Sequence, residues 1–275
     1  MAKEQKAQEG FLYERNTHTA LKAHKLVDPK GSPAGASHAL PDITIIRNGE
    51  TSGLELKISP TAAGSLVMKH VKGKWAYGDY KGEPEKEFLH GIGEKHNLLR
   101  IMNSSGAAGA KWRKSTPALR NDPISGNKIL APGFKDKAAA YKRDIANFGG
   151  DAEIHINVPA KSVCDYYNAK GCHYMNVGTH GFFLLNGKDP LGLNESIKKL
   201  GYPPIQDFAN SANCKIRVRC QLKSSSKSDY QFVMTLQFSG VTKQLYNIAP
   251  LRMGSKSAID TRALKTNRIL AAFDI

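Results

Sequence analysis

The stretch from Pro41 to Ser59, PDITIIRNGETSGLELKIS, constrains the fold of this chain more than any other. It reads as two short strands of alternating character joined by Asn48-Gly49, the dipeptide that most strongly marks a two-residue hairpin turn. Such a turn sets the register, so that Arg47 opposes Glu50, Thr44 opposes Gly53 and Asp42 opposes Glu55. Residues opposite each other share a face, with Cβ atoms roughly 5 Å apart. Lys57, two residues beyond Glu55, falls on that same face. Ile43, Ile45, Leu54, Leu56 and Ile58 take the other face, which is the expected core side.

Two carboxylates set directly across a strand pair repel each other. A divalent cation removes the conflict. Carboxylate oxygens are hard ligands, and Mg2+ typically takes one or two of them and keeps waters for phosphate oxygens. A lysine beside the ion orients a water or neutralises charge that builds on a phosphate. The plainer reading is a solvated hairpin face with an incidental Glu-x-Lys.

Pro41-Asp42 followed by Glu55-Leu56-Lys57 resembles the signature of the PD-(D/E)xK nuclease superfamily, which includes many type II restriction enzymes, junction resolvases and phage nucleases. The likeness covers the motif and roughly the first 180 residues. It implies a restriction-endonuclease-like core, a mixed sheet flanked by helices, that hydrolyses phosphodiester bonds with Mg2+, for which Mn2+ is a substitute. It assigns Asp42, Glu55 and Lys57 as the catalytic set, with Asp42 and Glu55 as metal ligands. Many members carry a glutamate on a helix before the sheet, and Glu14 is the matching residue here; its alternative is a surface helix glutamate. A homodimer is a further expectation from the resemblance, because duplex cleavage usually needs two active sites.

Charge supports a polyanionic partner. The 275 residues hold 40 Lys and Arg against 24 Asp and Glu, a formal net charge of +16. Inside a cell the commonest polyanion is nucleic acid, and DNA is the partner expected here. No apolar run approaches the roughly 20 residues that span a bilayer, and the first ten residues lack the apolar segment of a signal peptide. No membrane partner and a soluble cytoplasmic location follow as expectations. Cys164, Cys172, Cys214 and Cys220 lack zinc-site spacing and read as reduced thiols.

Along the chain, residues 1–10 read as polar and frayed, and 11–27 as a helix carrying Glu14 and His18 on one face. A Pro/Gly/Ser-rich loop containing His38 leads into the hairpin. In 61–87, lysines including Lys74 interleave with Trp75, Tyr77 and Tyr80. That mixture suits phosphates and sugars, or else a second hairpin around Gly73 with ordinary cross-strand aromatics. Residues 84–103 read as one helix. Residues 104–133 read as an irregular basic insertion presenting Lys111, Arg113 and Lys114 to DNA. A helix at 134–148 and a strand at 152–159 are candidates for the later helix and strand of the nuclease core, with Glu153 as a candidate third acid. A short helix at 160–170 and a strand pair around Gly178 follow. In CKIRVRCQL, Lys215, Arg217 and Arg219 alternate with apolar residues at about 6.6 Å spacing, which matches a run of phosphates. After a polar turn at 224–228 and a second strand, a terminal helix places Arg262, Lys265 and Arg268 on its polar side.

The fold class is thus α/β (α+β), with a nuclease core over 1–200 and a basic, strand-rich C-terminal portion over 201–275. The functional expectation is a Mg2+-dependent DNA endonuclease of the type II restriction-like or phage and junction type. Its competitor is a non-catalytic protein that binds DNA or structured RNA.

Overall fold

In the computed structural model, residues 2–33, 40–59, 62–104, 110–178, 180–223, 229–248 and 268–273 are described. The elements in chain order are α1 (Ala2–Ala23), β1 (Ile43–Arg47), β2 (Glu50–Lys57), β3 (Ala62–Val71), β4 (Lys74–Tyr77), α2 (Pro84–Lys95), α3 (Leu98–Asn103), α4 (Ala110–Lys114), β5 (Leu119–Asn121) and β6 (Lys128–Leu130). They continue with α5 (Lys137–Phe148), β7 (Ile154–Val158), α6 (Ala160–Ala169), β8 (Cys172–Val177), β9 (Gly181–Leu184), α7 (Leu193–Lys199), α8 (Phe208–Ser211), β10 (Asn213–Leu222), β11 (Tyr230–Ser239) and α9 (Arg268–Phe273). The mixed α/β class expected from the sequence is the one adopted. His38, the turn at 224–228, Arg262 and Lys265 lie outside the described residues. Among the described residues no helix is long and apolar enough to cross a membrane.

The chain folds as two compact units that interleave along the sequence: Met1–Glu4, Ala62–Asn157 and Lys215–Gln237 form one, and Gln5–Thr61, Val158–Cys214 and Phe238–Ile275 form the other. The second unit carries a four-stranded sheet in the order β1-β2-β8-β9. β1 and β2 are antiparallel, β2 and β8 parallel, and β8 and β9 antiparallel. A parallel neighbour requires a crossover, and here the chain leaves β2, builds most of the other unit, and returns through α6 to β8. The core side of the hairpin is as the alternation requires. Ile43, Ile45, Leu54 and Leu56 are buried with Tyr13, Leu21, Tyr174, Phe182 and Ile269, and Ile58 packs against them. Arg47 is also buried, its guanidinium donating to Phe273 O at 3.2 Å, to Ser196 Oγ at 2.6 Å and to Leu191 O. It thereby ties the turn end of the hairpin to α7 and α9.

The first unit carries a five-stranded sheet, β4-β3-β11-β10-β7, and the small β5-β6 pair. Its core centres on Trp75, which lies 5.0 Å from Trp112, 5.6 Å from Phe148 and 4.8 Å from Phe232 between ring centroids. Edge-to-face rings at this spacing add to their area burial. Of the two readings of 61–87, the hairpin holds: Lys72-Gly73 turns at positive φ and β3 pairs with β4.

Several local expectations are corrected. Helix α1 begins at Ala2, so residues 2–10 are helical rather than frayed. The single helix expected over 84–103 is interrupted at Asn97, whose φ of 56° leaves the helical region and separates α2 from α3. The segment 104–133 contains α4 and the β5-β6 pair, because Trp112 is drawn into the aromatic core. The pair α5-β7 does not join the hairpin: β7 ends the five-stranded sheet of the other unit, and the open edge of β2 is taken by β8.

Candidate active site

Asn48 and Gly49 have φ of 52° and 84°, as a type I′ turn demands of both central residues. The observed ladder pairs Arg47 with Glu50, Thr44 with Gly53 and Ile43 with Leu54. Asp42 stands one residue beyond the ladder. Its Oδ2 accepts a hydrogen bond from Leu56 N–H at 2.7 Å, which holds the carboxylate against the strand that carries Glu55. Gly53 permits this closeness. A Cβ there would meet Pro41 Cγ at 2.6 Å and Gly171 O at 2.7 Å, while Gly53 N–H donates to Gly171 O at 2.9 Å.

Glu55 is buried, 3% exposed, and both of its oxygens have cationic partners. Lys57 Nζ lies 2.7 Å from Oε1 and Lys170 Nζ 3.3 Å from Oε2. Both ammoniums also sit over the Tyr167 ring, 5.5 and 5.4 Å from its centroid. Cys172 Sγ is 4.0 Å from Oε2. Lys170 and Cys172 arrive because β8 runs parallel to β2, with Glu55 beside Met175. No local motif pointed to Lys170 or Tyr167. The available signal was the helix at 160–170 ending just before a strand, and it did not say which strand would be its neighbour.

The electrostatics tie Glu14 to this group. Burial pushes its carboxyl up to about 7, and the charges of Asp42 and Glu55 push further in the same direction against the pull of Lys57. Asp42 is pushed up to about 6 by burial and by Glu55, an effect reduced by Lys57, the Leu56 N–H and Lys170. Burial acts against the Lys57 ammonium, but Glu55, Tyr167 and Asp42 hold its pKa well above the ordinary lysine value. Lys57 is therefore a fixed cation that donates hydrogen bonds; it is not a base.

The three carboxylates Glu14, Asp42 and Glu55 thus form one electrostatic group in which negative charge is in excess at the Asp42 and Glu14 side. Among the described residues, no three His, Cys, Asp or Glu side chains stand ready as a preformed metal nest. The donor chemistry fits a hard divalent cation nonetheless. The raised pKa values of Asp42 and Glu14 mark a surplus of negative charge that a cation would relieve, and Mg2+ typically needs one or two carboxylates with the rest of its shell from water and phosphate.

The remaining candidates belong to the other unit. Lys74 on β4 and Lys111, Arg113 and Lys114 on α4 are exposed and belong to the unit that does not hold the carboxylates. Lys215, Arg217 and Arg219 share one face of β10, half-buried. Arg217 is engaged by both oxygens of Glu153, with Nη2 to Oε1 at 2.8 Å. Both Glu153 oxygens are thus already taken by a guanidinium. Cys164, Cys172, Cys214 and Cys220 are buried free thiols. No protein-family model matches the chain, and no curated protein or solved structure matches it significantly.

Proposed function

We propose that the chain is a metal-dependent DNA endonuclease with a restriction-endonuclease-like core in the unit that holds the hairpin. The observation that carries this reading is the convergence of Asp42, Glu55 and Lys57 at the end of the hairpin away from its turn, with Glu14 from α1 sensing the same charges. Asp42 and Glu55 would hold Mg2+ or Mn2+, with Glu14 completing the carboxylate group. An ion held there would supply Lewis-acid polarisation of a phosphodiester oxygen and would lower the pKa of a water. Asp42 would present Oδ1 while Leu56 N–H fixes Oδ2. Lys57, permanently charged, donates to a water or to a phosphate oxygen and offsets the negative charge that grows during attack. Lys170 holds Glu55 Oε2 and keeps the carboxylate from rotating.

The exposed cations Lys74, Lys111, Arg113 and Lys114, with the half-buried Lys215 and Arg219, would hold the DNA backbone, with an affinity that falls steeply as salt rises. Arg217, occupied by Glu153, contributes less.

A second reading, a nucleic-acid-binding protein without catalysis, draws on the pairing of both Glu55 oxygens with lysines. One experiment separates them. Supercoiled, single-stranded and branched DNA are each incubated with wild type, Asp42→Asn and Lys57→Met in Mg2+, Mn2+ or EDTA. Cutting by wild type alone, abolished by EDTA, supports the nuclease. Equal binding by all three proteins without cutting of any form leaves the non-catalytic reading.

A further inference from the structure

A cavity of about 400 Å³ opens beside Asp42, lined by His18, Asp28, Ser32, Leu40, Thr44 and Asp42 itself over an apolar floor that includes Val27, Pro41 and Ile43. Its volume falls in the range of small-ligand pockets. It lies along the open edge of β1, the outermost strand of its sheet. Ile46 N–H donates outward to Leu26 O at 2.7 Å, so by strand alternation Thr44 and Asp42 also turn backbone N–H and C=O groups toward that edge.

The lining discriminates among the parts of a nucleic acid. Two acidic residues, Asp28 and Asp42, belong to the lining, and among the described residues that line it none is a lysine or arginine. A phosphate is therefore disfavoured. A nucleobase has apolar faces for Leu40, Val27 and Pro41 and a hydrogen-bonding edge for the hydroxyls, the imidazole and the strand edge. Leu40 is 56% exposed, an apolar surface that stacking would cover. Burial and Lys22 hold the His18 pKa below its ordinary value, so near neutral pH the ring offers one donor and one acceptor.

We infer that this cavity takes one unpaired nucleoside of the substrate strand, adjacent to the phosphodiester held at Asp42. The inference rests on the nuclease reading and names its substrate class: DNA that is single-stranded, flapped or branched at the cleavage point. Asp42 belongs to both the cavity wall and the carboxylate group, so the occupant is covalently next to the reacting phosphate. A base inside a duplex must leave its stack to enter, and that cost is least where it is already unpaired.

The test reads binding and cutting separately. Fluorescence anisotropy in EDTA compares a labelled single strand with a hairpin duplex of the same length, for wild type and for Ser32→Trp, which fills the cavity from an exposed loop position. Cleavage in Mg2+ then compares single-stranded, flapped and fully paired substrates. The expected result is at least tenfold tighter binding of the single strand by wild type, reduced at least fivefold in Ser32→Trp with duplex binding unchanged. Cutting is expected to be at least tenfold faster on unpaired substrates. Equal affinity for the two forms, or a preference that survives Ser32→Trp, overturns the subsite. A preserved single-strand preference without cutting of any substrate supports the subsite and defeats the nuclease reading alone.

Discussion

Lys170 Nζ lies 3.3 Å from Glu55 Oε2, the oxygen that Lys57 does not take, so two lysines from distant parts of the chain hold one buried carboxylate. The side chains of Glu55 and Lys170 are 4% and 10% exposed. Removing one partner of such a pair leaves an under-satisfied buried charge, which costs about 1–3 kcal/mol. Lys170→Met should lower stability by that amount in urea unfolding and reduce Mg2+-dependent cleavage by about tenfold to a hundredfold, since the Glu55 carboxylate becomes free to rotate. Lys170→Arg should restore most of the stability. Unchanged unfolding and cleavage in Lys170→Met would remove this role.

The raised carboxyls set a pH dependence with a definite sign. Asp42 at about 6 and Glu14 at about 7 bind protons in the folded state that they release in the unfolded chain. Between roughly pH 4 and pH 7 the folded state holds more protons, so stability falls as pH rises through that window. In EDTA the protein should be less stable at pH 8 than at pH 5.5 from this pair, by an amount on the order of 2 kcal/mol. Asp42→Asn should flatten the slope. Mg2+ competes with those protons, so it should raise Tm more at pH 8 than at pH 5.5. Thermal unfolding across pH with and without Mg2+ measures both effects, and a stability that rises from pH 5.5 to pH 8 in EDTA would contradict the assignment.

Gly53 is where hairpin, Asp42 and parallel strand meet. A methyl group there collides with Pro41 on one side and Gly171 O on the other. Relief must come from a shift of the Pro41-Asp42 backbone or from a wider β2-β8 spacing, and overpacking of this kind costs about 1–3 kcal/mol. Gly53→Ala should lose cleavage more than stability, because a displacement of about 1 Å at Asp42 is enough to cost on the order of a hundredfold in rate. A variant with near wild-type cleavage would show that Asp42 does not need this contact.

The hairpin was legible because its determinants are local. Asn48-Gly49 fixes which residues oppose one another, and the alternation of Ile43, Ile45, Leu54 and Leu56 fixes the buried face. The neighbour of β2 was not legible. Two helix-strand pairs, 137–158 and 160–177, follow each other with similar patterns, and pairing across more than 110 residues is decided by tertiary packing that neither pattern encodes. Lys170 was hidden for the same reason. Trp75 was ambiguous because an aromatic among lysines is compatible with a base platform or a core, and only its packing against Trp112 and its neighbours decides.

The alternating cations of β10 are not equivalent, although the sequence presents them as a row. Arg217 is clamped by Glu153, whose side chain is 10% exposed, whereas the Arg219 guanidinium donates to the neutral Gln221 at 3.1 Å in addition to its charge contacts. Arg217→Ala should therefore destabilise the protein, by about 1–3 kcal/mol, as it leaves Glu153 without its guanidinium. Lys215→Ala and Arg219→Ala should leave unfolding nearly unchanged and weaken DNA binding. If each cation neutralises one phosphate, its removal lowers the slope of log K against log salt by about 0.9. Anisotropy titrations at several salt concentrations, paired with urea unfolding of the same variants, measure both quantities. A salt slope unaltered by Lys215→Ala and Arg219→Ala together would place the DNA on another surface, with Lys111, Arg113 and Lys114 the next residues to exchange.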